Sequence, residues 1–270
     1  MTSADPAPAA DDLAAAGLRL DLVGPVVTIT LDRPTVRNAQ TPAMWRALGA
    51  IGRTLPDEVR VVIVRGQGAT FSAGLDRSLM DPATAPEGVE SLGDLFAMSD
   101  EDMAATIDVY QHGFTWLRDP RFISIAVVQG YAVGAGFQLA LSCDLRVLAD
   151  DAQLCMKESA LGLVPDLTGT KPLVESVGYA RALEICATAR MVGAAEAVQI
   201  GLALTAVPGD QLDATVADLV AALTAPLPGT VSETKSLLLG AAERSLEEQR
   251  RLERLAQVRR FREVAQFLAR

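Results

Sequence analysis

Two carboxylates, Glu158 and Asp166, stand eight residues apart in KESALGLVPDLTGT (157–170), a run otherwise dominated by Leu161, Gly162, Leu163, Val164 and Pro165. Held against one substrate, such a pair can take a proton at one atom and return one at another. An apolar surrounding raises at least one carboxyl pKa, which keeps a proton available near neutral pH. Two further segments offer a complementary device. FSAGLD (71–76) and GYAVGAGFQ (130–138) each leave an apolar run through glycine, and the second opens a helical pattern. Two unpaired backbone N–H groups from such turns, converging on one oxygen, form an oxyanion hole, and glycine allows the ligand close to the backbone. Each feature also has an ordinary structural explanation. The loops are then tight turns, Glu158 pairs with Lys157 or Arg146, and Asp166 caps the helix in LTGTKPLVESVG.

The remaining reactive residue types narrow the field. His112 is the only histidine and sits in IDVYQHGFTW, a helical segment where a packing or surface role is the simpler explanation. A Ser-His-Asp or Cys-His mechanism would have to run through it alone. Cys143, Cys155 and Cys186 form no CxxC pair, so neither a disulfide framework nor a zinc site is expected. The net charge of −10 argues against nucleic acid as a main partner. It leaves room for a small anionic ligand in a local basic pocket. No apolar run approaches the roughly 20 residues that span a bilayer, and the first residues lack the features of a signal or transit peptide. The expectation is a cytoplasmic protein with no membrane partner.

These residues must be positioned by regular elements. Residues 1–17 are rich in Ala, Pro and Asp and read as a disordered tail. LRLDLVGPVVTITL reads as two strands turning at Gly24-Pro25, and Thr41-Pro42 opens a helix that runs to about residue 54. VRVVIVRG and RFISIAVVQG are continuous apolar strands of the kind buried on both faces. Residues 78–98 lack periodicity and read as a mobile surface segment. Ser99, with Asp102 three residues on, starts a helix reaching about Arg118. After a glycine-punctuated helix, LRVLA and AQLCMK read as strands, and beyond residue 170 helical patterns dominate, ending in an Arg-rich helix. That last helix is either a solvated face or one that meets another subunit or a phosphate. Strand–helix alternation followed by helices predicts an α/β protein of repeated ββα units.

In order and spacing, TFSAGLD, VQGYAVGAGFQLALSCDLRVLADDAQ and KESALGLVPDLTGT resemble the crotonase superfamily, the enoyl-CoA hydratase/isomerase family. LDRPTVRNAQT (31–41) is similar to the family's early CoA-contacting segment, and GLALTAVPGDQL (201–212) extends the match. The resemblance implies a crotonase-like spiral of ββα repeats over residues 18–205, with a helical region, 206–270, that packs between subunits of a trimer or dimer of trimers. It implies an oxyanion hole from the N–H groups of Leu75 and Ala135, flanked by Ala73, Gly74 and Gly134, holding a thioester carbonyl. The family usually has glycine where Ala135 stands; the N–H is kept, and the methyl narrows the approach. Arg37 falls where a basic residue meets CoA phosphate, or is a surface arginine. Asp76 braces its loop.

The same comparison weakens one activity and favours another. Hydratases of the family place two glutamates around a water; here one of those positions is Gln138 and the other Glu158. An amide cannot act as a general base, although it can orient a water or ligand. Dienoyl-CoA isomerases of the family carry a Glu and an Asp with the spacing of Glu158 and Asp166, although they usually have Asp where Gln138 stands. The expectation is therefore an enoyl or dienoyl thioester isomerase with Glu158 near C2 and Asp166 at the distal carbon. The alternatives are a hydratase or other lyase of the family, or an acyl-CoA binding protein without turnover. No metal or redox cofactor is implied, since coenzyme A or an acyl carrier is part of the substrate.

Overall fold

The computed structural model describes residues 7–80 and 89–269. The chain opens with helix α1 (Ala10–Ala15), followed by strands β1 (Leu18–Val23) and β2 (Val26–Leu31). Helix α2 (Pro42–Thr54) has Thr41 as its cap, accepting the Met44 N–H at 3.2 Å, with proline at the first turn. Strand β3 (Val61–Gly66) leads through the first glycine-bearing loop to helices α3 (Leu92–Phe96) and α4 (Asp100–Thr115). Next come β4 (Ile123–Val128), β5 (Tyr131–Val133) and α5 (Ala135–Ser142), then β6 (Leu145–Ala149), β7 (Gln153–Cys155), α6 (Thr170–Val177) and α7 (Tyr179–Thr188). The chain continues with β8 (Val192–Gly193), α8 (Ala194–Gln199) and β9 (Thr205–Val207), and ends with α9 (Leu212–Thr224), α10 (Pro228–Leu238) and α11 (Leu246–Leu268).

The strands form a six-stranded sheet ordered β1-β2-β3-β4-β6-β9 and a three-stranded sheet ordered β5-β7-β8. β1 and β2 are an antiparallel hairpin, and the rest of the larger sheet is parallel. The chain repeatedly places a strand in the large sheet, a strand in the small one, then a helix, as in β4-β5-α5 and β6-β7-α6. This is the expected α/β architecture of ββα repeats. The parallel strands are apolar without alternation because both faces are covered. Val62, Val64, Ala126, Val128 and Leu148 face the main core, whereas Val61, Ile125, Val127, Val147 and Ala149 pack with Leu212 and Val216 of α9.

Three expectations need correction. Of the predicted tail, residues 1–6 lie outside the described residues, but α1 is helical and buries Leu13 and Ala16 against the core. The boundary drawn at 205/206 cuts β9, the last strand of the large sheet, and α9 seals that sheet's second face, so the core continues past it. Within the segment expected to be mobile, 81–88 lie outside the described residues, yet Leu92–Phe96 is a helix whose first turn is set by Asp94, which accepts the Ser91 N–H at 2.7 Å. The Arg-rich α11 is laced with ion pairs, including Arg250–Glu247 at 2.9 Å, Arg251–Glu248 at 2.8 Å and a tie from Arg259 to Glu233 of α10 at 2.5 Å. His112 is exposed on α4. Among the described residues no single helix is long and apolar enough to cross a membrane.

Candidate active site

The two glycine-bearing loops are joined edge to edge. Ser72 N–H donates to Tyr131 O at 2.9 Å, Val133 N–H donates to Ser72 O at 3.0 Å, and Phe71 N–H donates to Gln129 O at 2.9 Å. The glycines make the contact possible. A Cβ on Gly74, whose φ is +87°, would lie 2.5 Å from Val133 O and 3.5 Å from Ala135 N. A Cβ on Gly136 would lie 2.6 Å from Ser72 O.

The orientation of the two N–H groups follows from peptide planarity, because a trans peptide points its C=O and its N–H in opposite directions. The carbonyl of Gly74 accepts the Gln40 N–H at 2.7 Å, which turns the Leu75 N–H away from Gln40. The carbonyl of Gly134 accepts the first helical bond of α5, from Gln138 N–H at 2.9 Å, so the Ala135 N–H faces back out of the helix start. Neither N–H has an acceptor among the described residues. Leu75 and Ala135 line the same cavity, of about 400 Å³, together with Ala73, Gly74, Gly134, Gln138, Glu158 and Asp166.

Glu158 begins a short 3₁₀ turn and is 8% exposed. Its Oε1 accepts from Gln138 Nε2 at 2.7 Å, and its Oε2 is buried with no hydrogen-bond partner among the described residues. Desolvation pushes its carboxyl above the ordinary carboxylate range; the Gln138 bond works against that shift and the charge of Asp166 adds to it. Gly134 leaves room for this carboxylate, since a Cβ there would come within 3.4 Å of Glu158 Oε1. Asp166 is exposed as a residue, and the partial desolvation of its carboxyl raises its pKa as well. Neither structural alternative for these carboxylates holds. Arg146 spends its guanidinium on the carbonyls of Leu202, Ala140, Cys143 and Asp144, and α6 has Gly169 at its cap with no side-chain cap bond.

Asp76 does brace its loop. It accepts from Ser78 N–H at 3.1 Å and Ser78 Oγ at 2.8 Å and pairs with Arg33 at 2.9 Å. Desolvation opposes ionisation there, and the bonds from Ser78 and Arg33 overcome it, holding the carboxyl below its ordinary range. Arg37 is exposed, with φ +55°, and its carbonyl accepts the Ala73 N–H at 2.9 Å, which sets its backbone beside the cavity without bringing the side chain into the cavity wall. Residues 92–107 contribute Leu92, Leu95, Met103 and Ile107 to the wall.

Sequence reasoning missed the buried polar layer beneath the first loop: Asn38, Gln40 and Ser72, each 0% exposed. A polar pair in RNAQT followed by a serine in FSAG was the available signal, although nothing in their spacing shows that the segments meet.

Two residues whose backbone N–H groups have no acceptor among the described residues, Leu75 and Ala135, thus line one cavity of this α/β fold together with a buried carboxylate. Residues 23–266 match the family model described as enoyl-CoA hydratase/isomerase, and the chain belongs to that family. A solved structure from Thermobifida fusca, provisionally named an enoyl-CoA hydratase and holding acetoacetyl-CoA, is 52% identical, with TM-score 0.91, covering 96% of this chain and 100% of that one. The peroxisomal Delta(3,5)-Delta(2,4)-dienoyl-CoA isomerase of Arabidopsis thaliana is 31% identical over 229 residues, 83% of this chain and 80% of its own. A protein of Mycobacterium bovis provisionally named an enoyl-CoA hydratase is 32% identical over 188 residues, 68% of this chain; the match spans 66% of that relative's length.

Proposed function

We propose that the protein isomerises enoyl or dienoyl thioesters of coenzyme A, with the Leu75 and Ala135 N–H groups as the oxyanion hole and Glu158 and Asp166 as the proton shuttle. The observation that carries this reading is the placement of Glu158 and Asp166 in one cavity while Gln138, the other position available to a second base, is an amide. In the proposed reaction one carboxylate takes the C2 proton, and the carbonyl oxygen becomes an enolate oxygen held by the two N–H groups. Conjugation carries the electron pair to the distal carbon, where the other carboxyl group delivers a proton. Each donor contributes on the order of 3 kcal/mol by mutational precedent. Glu158 suits C2 because its Oε1 lies against Gly134, next to the Ala135 donor. No step needs a metal or redox cofactor, since coenzyme A belongs to the substrate. We further read the assembly as a trimer or dimer of trimers, which the exposed apolar side chains of α11, Leu255, Phe261 and Phe267 among them, support.

The second reading is hydration of a 2-enoyl thioester by Glu158 alone, favoured by the hydratase names of the Thermobifida and Mycobacterium proteins. A paired assay separates the two. The protein is offered a 3,5-dienoyl-CoA and a 2-enoyl-CoA of equal length, with diene absorbance followed in one and loss of the enoyl group in the other. Diene formation that disappears in both Glu158→Gln and Asp166→Asn supports the isomerase. Hydration that ignores Asp166→Asn supports the second reading. Binding without turnover of either identifies a thioester-binding protein.

A further inference from the structure

We propose that Gln40 and Ser72 are positioning residues for the Leu75 N–H donor, linking it through Trp45 to the wall of the acyl cavity. The inference rests on the enolate reading above and adds two residues that touch no substrate atom.

The hydrogen bonds run in one direction only. Trp45 lines the cavity, and its indole Nε1–H, which can only donate, gives its proton to Gln40 Oε1 at 2.8 Å. That bond fixes which way the Gln40 amide faces, so Nε2 donates to Ser72 Oγ at 3.1 Å. Ser72 Oγ–H donates to Asn38 O at 2.8 Å, and the same oxygen accepts the Gly74 N–H at 3.2 Å. The hydroxyl thus uses its one donor and both acceptor sites. Gln40's backbone completes the arrangement: its N–H holds Gly74 O at 2.7 Å and its carbonyl accepts the Asp76 N–H at 2.8 Å. The Gly74–Leu75 peptide is therefore held at its carbonyl by the Gln40 N–H, and the peptides on either side of it by Ser72 Oγ and the Gln40 carbonyl, all from residues that are wholly buried. Asn38 anchors the layer in turn, donating from Nδ2 to Gln67 O at 2.9 Å and Thr70 O at 2.7 Å.

A network in which each buried polar atom has a partner favours one arrangement, because a rotated amide or hydroxyl leaves a buried polar group unpaired. A donor aimed at a developing oxyanion gains its advantage from such fixed geometry, and small misplacement is costly to the rate. Trp45 packs against Tyr110 with ring centroids 5.0 Å apart, so the far end of the chain of bonds rests on the packed α2–α4 interface.

The test uses the full chain with Ser72→Ala and Gln40→Leu, each keeping the backbone bonds of its position. The probe is acetoacetyl-CoA, whose bound enolate absorbs distinctly from its keto form, alongside turnover of the enoyl substrates. Both variants are expected to lower the enolate fraction of the bound probe about tenfold and kcat by roughly 10- to 100-fold, with KM within about twofold. The enolate fraction is a ratio within bound ligand, so partial unfolding does not mimic the effect. A wild-type protein that enolises the probe but turns over neither enoyl substrate, with weakened enolisation in the variants, supports the positioning role while removing the isomerase reading. Unchanged enolate fractions in both variants overturn the proposal, as does a loss that appears in KM alone or a wild type that binds the probe wholly as ketone.

Discussion

Gln138 holds Glu158 from a fixed side. Its Oε1 accepts the backbone N–H groups of Leu167 and Gly169, at 2.9 and 3.2 Å, which leaves Nε2 to donate to Glu158 Oε1 at 2.7 Å. An amide in this seat orients a carboxylate and cannot exchange protons with it. Replacing it by a carboxyl of the same shape, Gln138→Glu, retains the Leu167 and Gly169 bonds and places a shared proton between two carboxyl groups. We expect hydration of a 2-enoyl-CoA to rise about 10²-fold over the parent, the lower end of general acid–base contributions. An unchanged hydration rate, measured by loss of enoyl absorbance, would falsify this use of the position.

The pH dependence should report the desolvation of Glu158. A base with a raised pKa loses activity as pH falls through that raised value, so the acidic limb of kcat/KM should lie above the ordinary glutamate value of about 4.3. Asp166→Asn removes a negative charge that raises the Glu158 pKa. The limb of any residual C2 proton exchange should therefore move to lower pH. A shift upward, read by deuterium exchange across the pH range, contradicts the coupling.

Stability should show the opposite face of the same shift. A carboxyl raised in the folded state favours folding below its unfolded pKa, and that contribution is lost as pH rises through the folded value. Glu158→Gln removes the cost of ionising a buried group. Thermal melting should rise at pH 7 relative to the parent and coincide with it near pH 3. A lower melting temperature at pH 7 would show that the carboxylate is stabilised in place.

Gly74→Ala tests the close approach of the two loops. The position has φ +87°, and the added methyl meets Val133 O at 2.5 Å. Displacing the Leu75 donor should cost about 10²-fold or more in kcat, the effect of losing one oxyanion donor. Full activity in steady-state assays would mean that the Leu75 N–H makes no contribution.

Lys235 ties α10 to the sheet. Its Nζ donates to Asp119 O, Phe122 O and Asp144 Oδ2 at 2.7, 2.8 and 2.7 Å, and the residue is 6% exposed. Lys235→Met removes the cation from the Asp144 carboxylate, which keeps only its bonds to Ser124 among the described residues, and leaves two carbonyls without this donor; it should destabilise by about 3 kcal/mol in urea unfolding. A change below about 1 kcal/mol would place the ion pair among those that contribute little.

Much of the fold was legible because its signals are local. Thr41-Pro42 and Ser99 announce their helices, and the apolar runs of β3 and β4 announce burial on two faces. The two loops and the carboxylate pair, which line one cavity, could be singled out as candidates because glycine and carboxylate are informative residue types. The Ala10–Ala15 helix was hidden by composition, since an Ala/Asp run becomes ordered only when Leu13 finds the core. The cap role for Asp166 was a sound local inference that the chain did not use, because α6 starts at Thr170, beyond its reach. The Asn38–Gln40–Ser72 layer was illegible for a different reason: hydrogen bonds that span 32 and 34 residues leave no periodicity behind.

The peptide planes at Leu75 and Ala135 are set by backbone bonds to Gln40 and within α5, whereas the acid–base candidates Gln138, Glu158 and Asp166 would act through their side chains. The backbone half of the site thus depends on the glycines and buried polar residues beneath it, and the acid–base half on the side chains that line the cavity. Under the proposed function, a chain built this way can exchange one proton-transfer chemistry for another by changing a few side chains, while the backbone at Leu75 and Ala135 keeps its course.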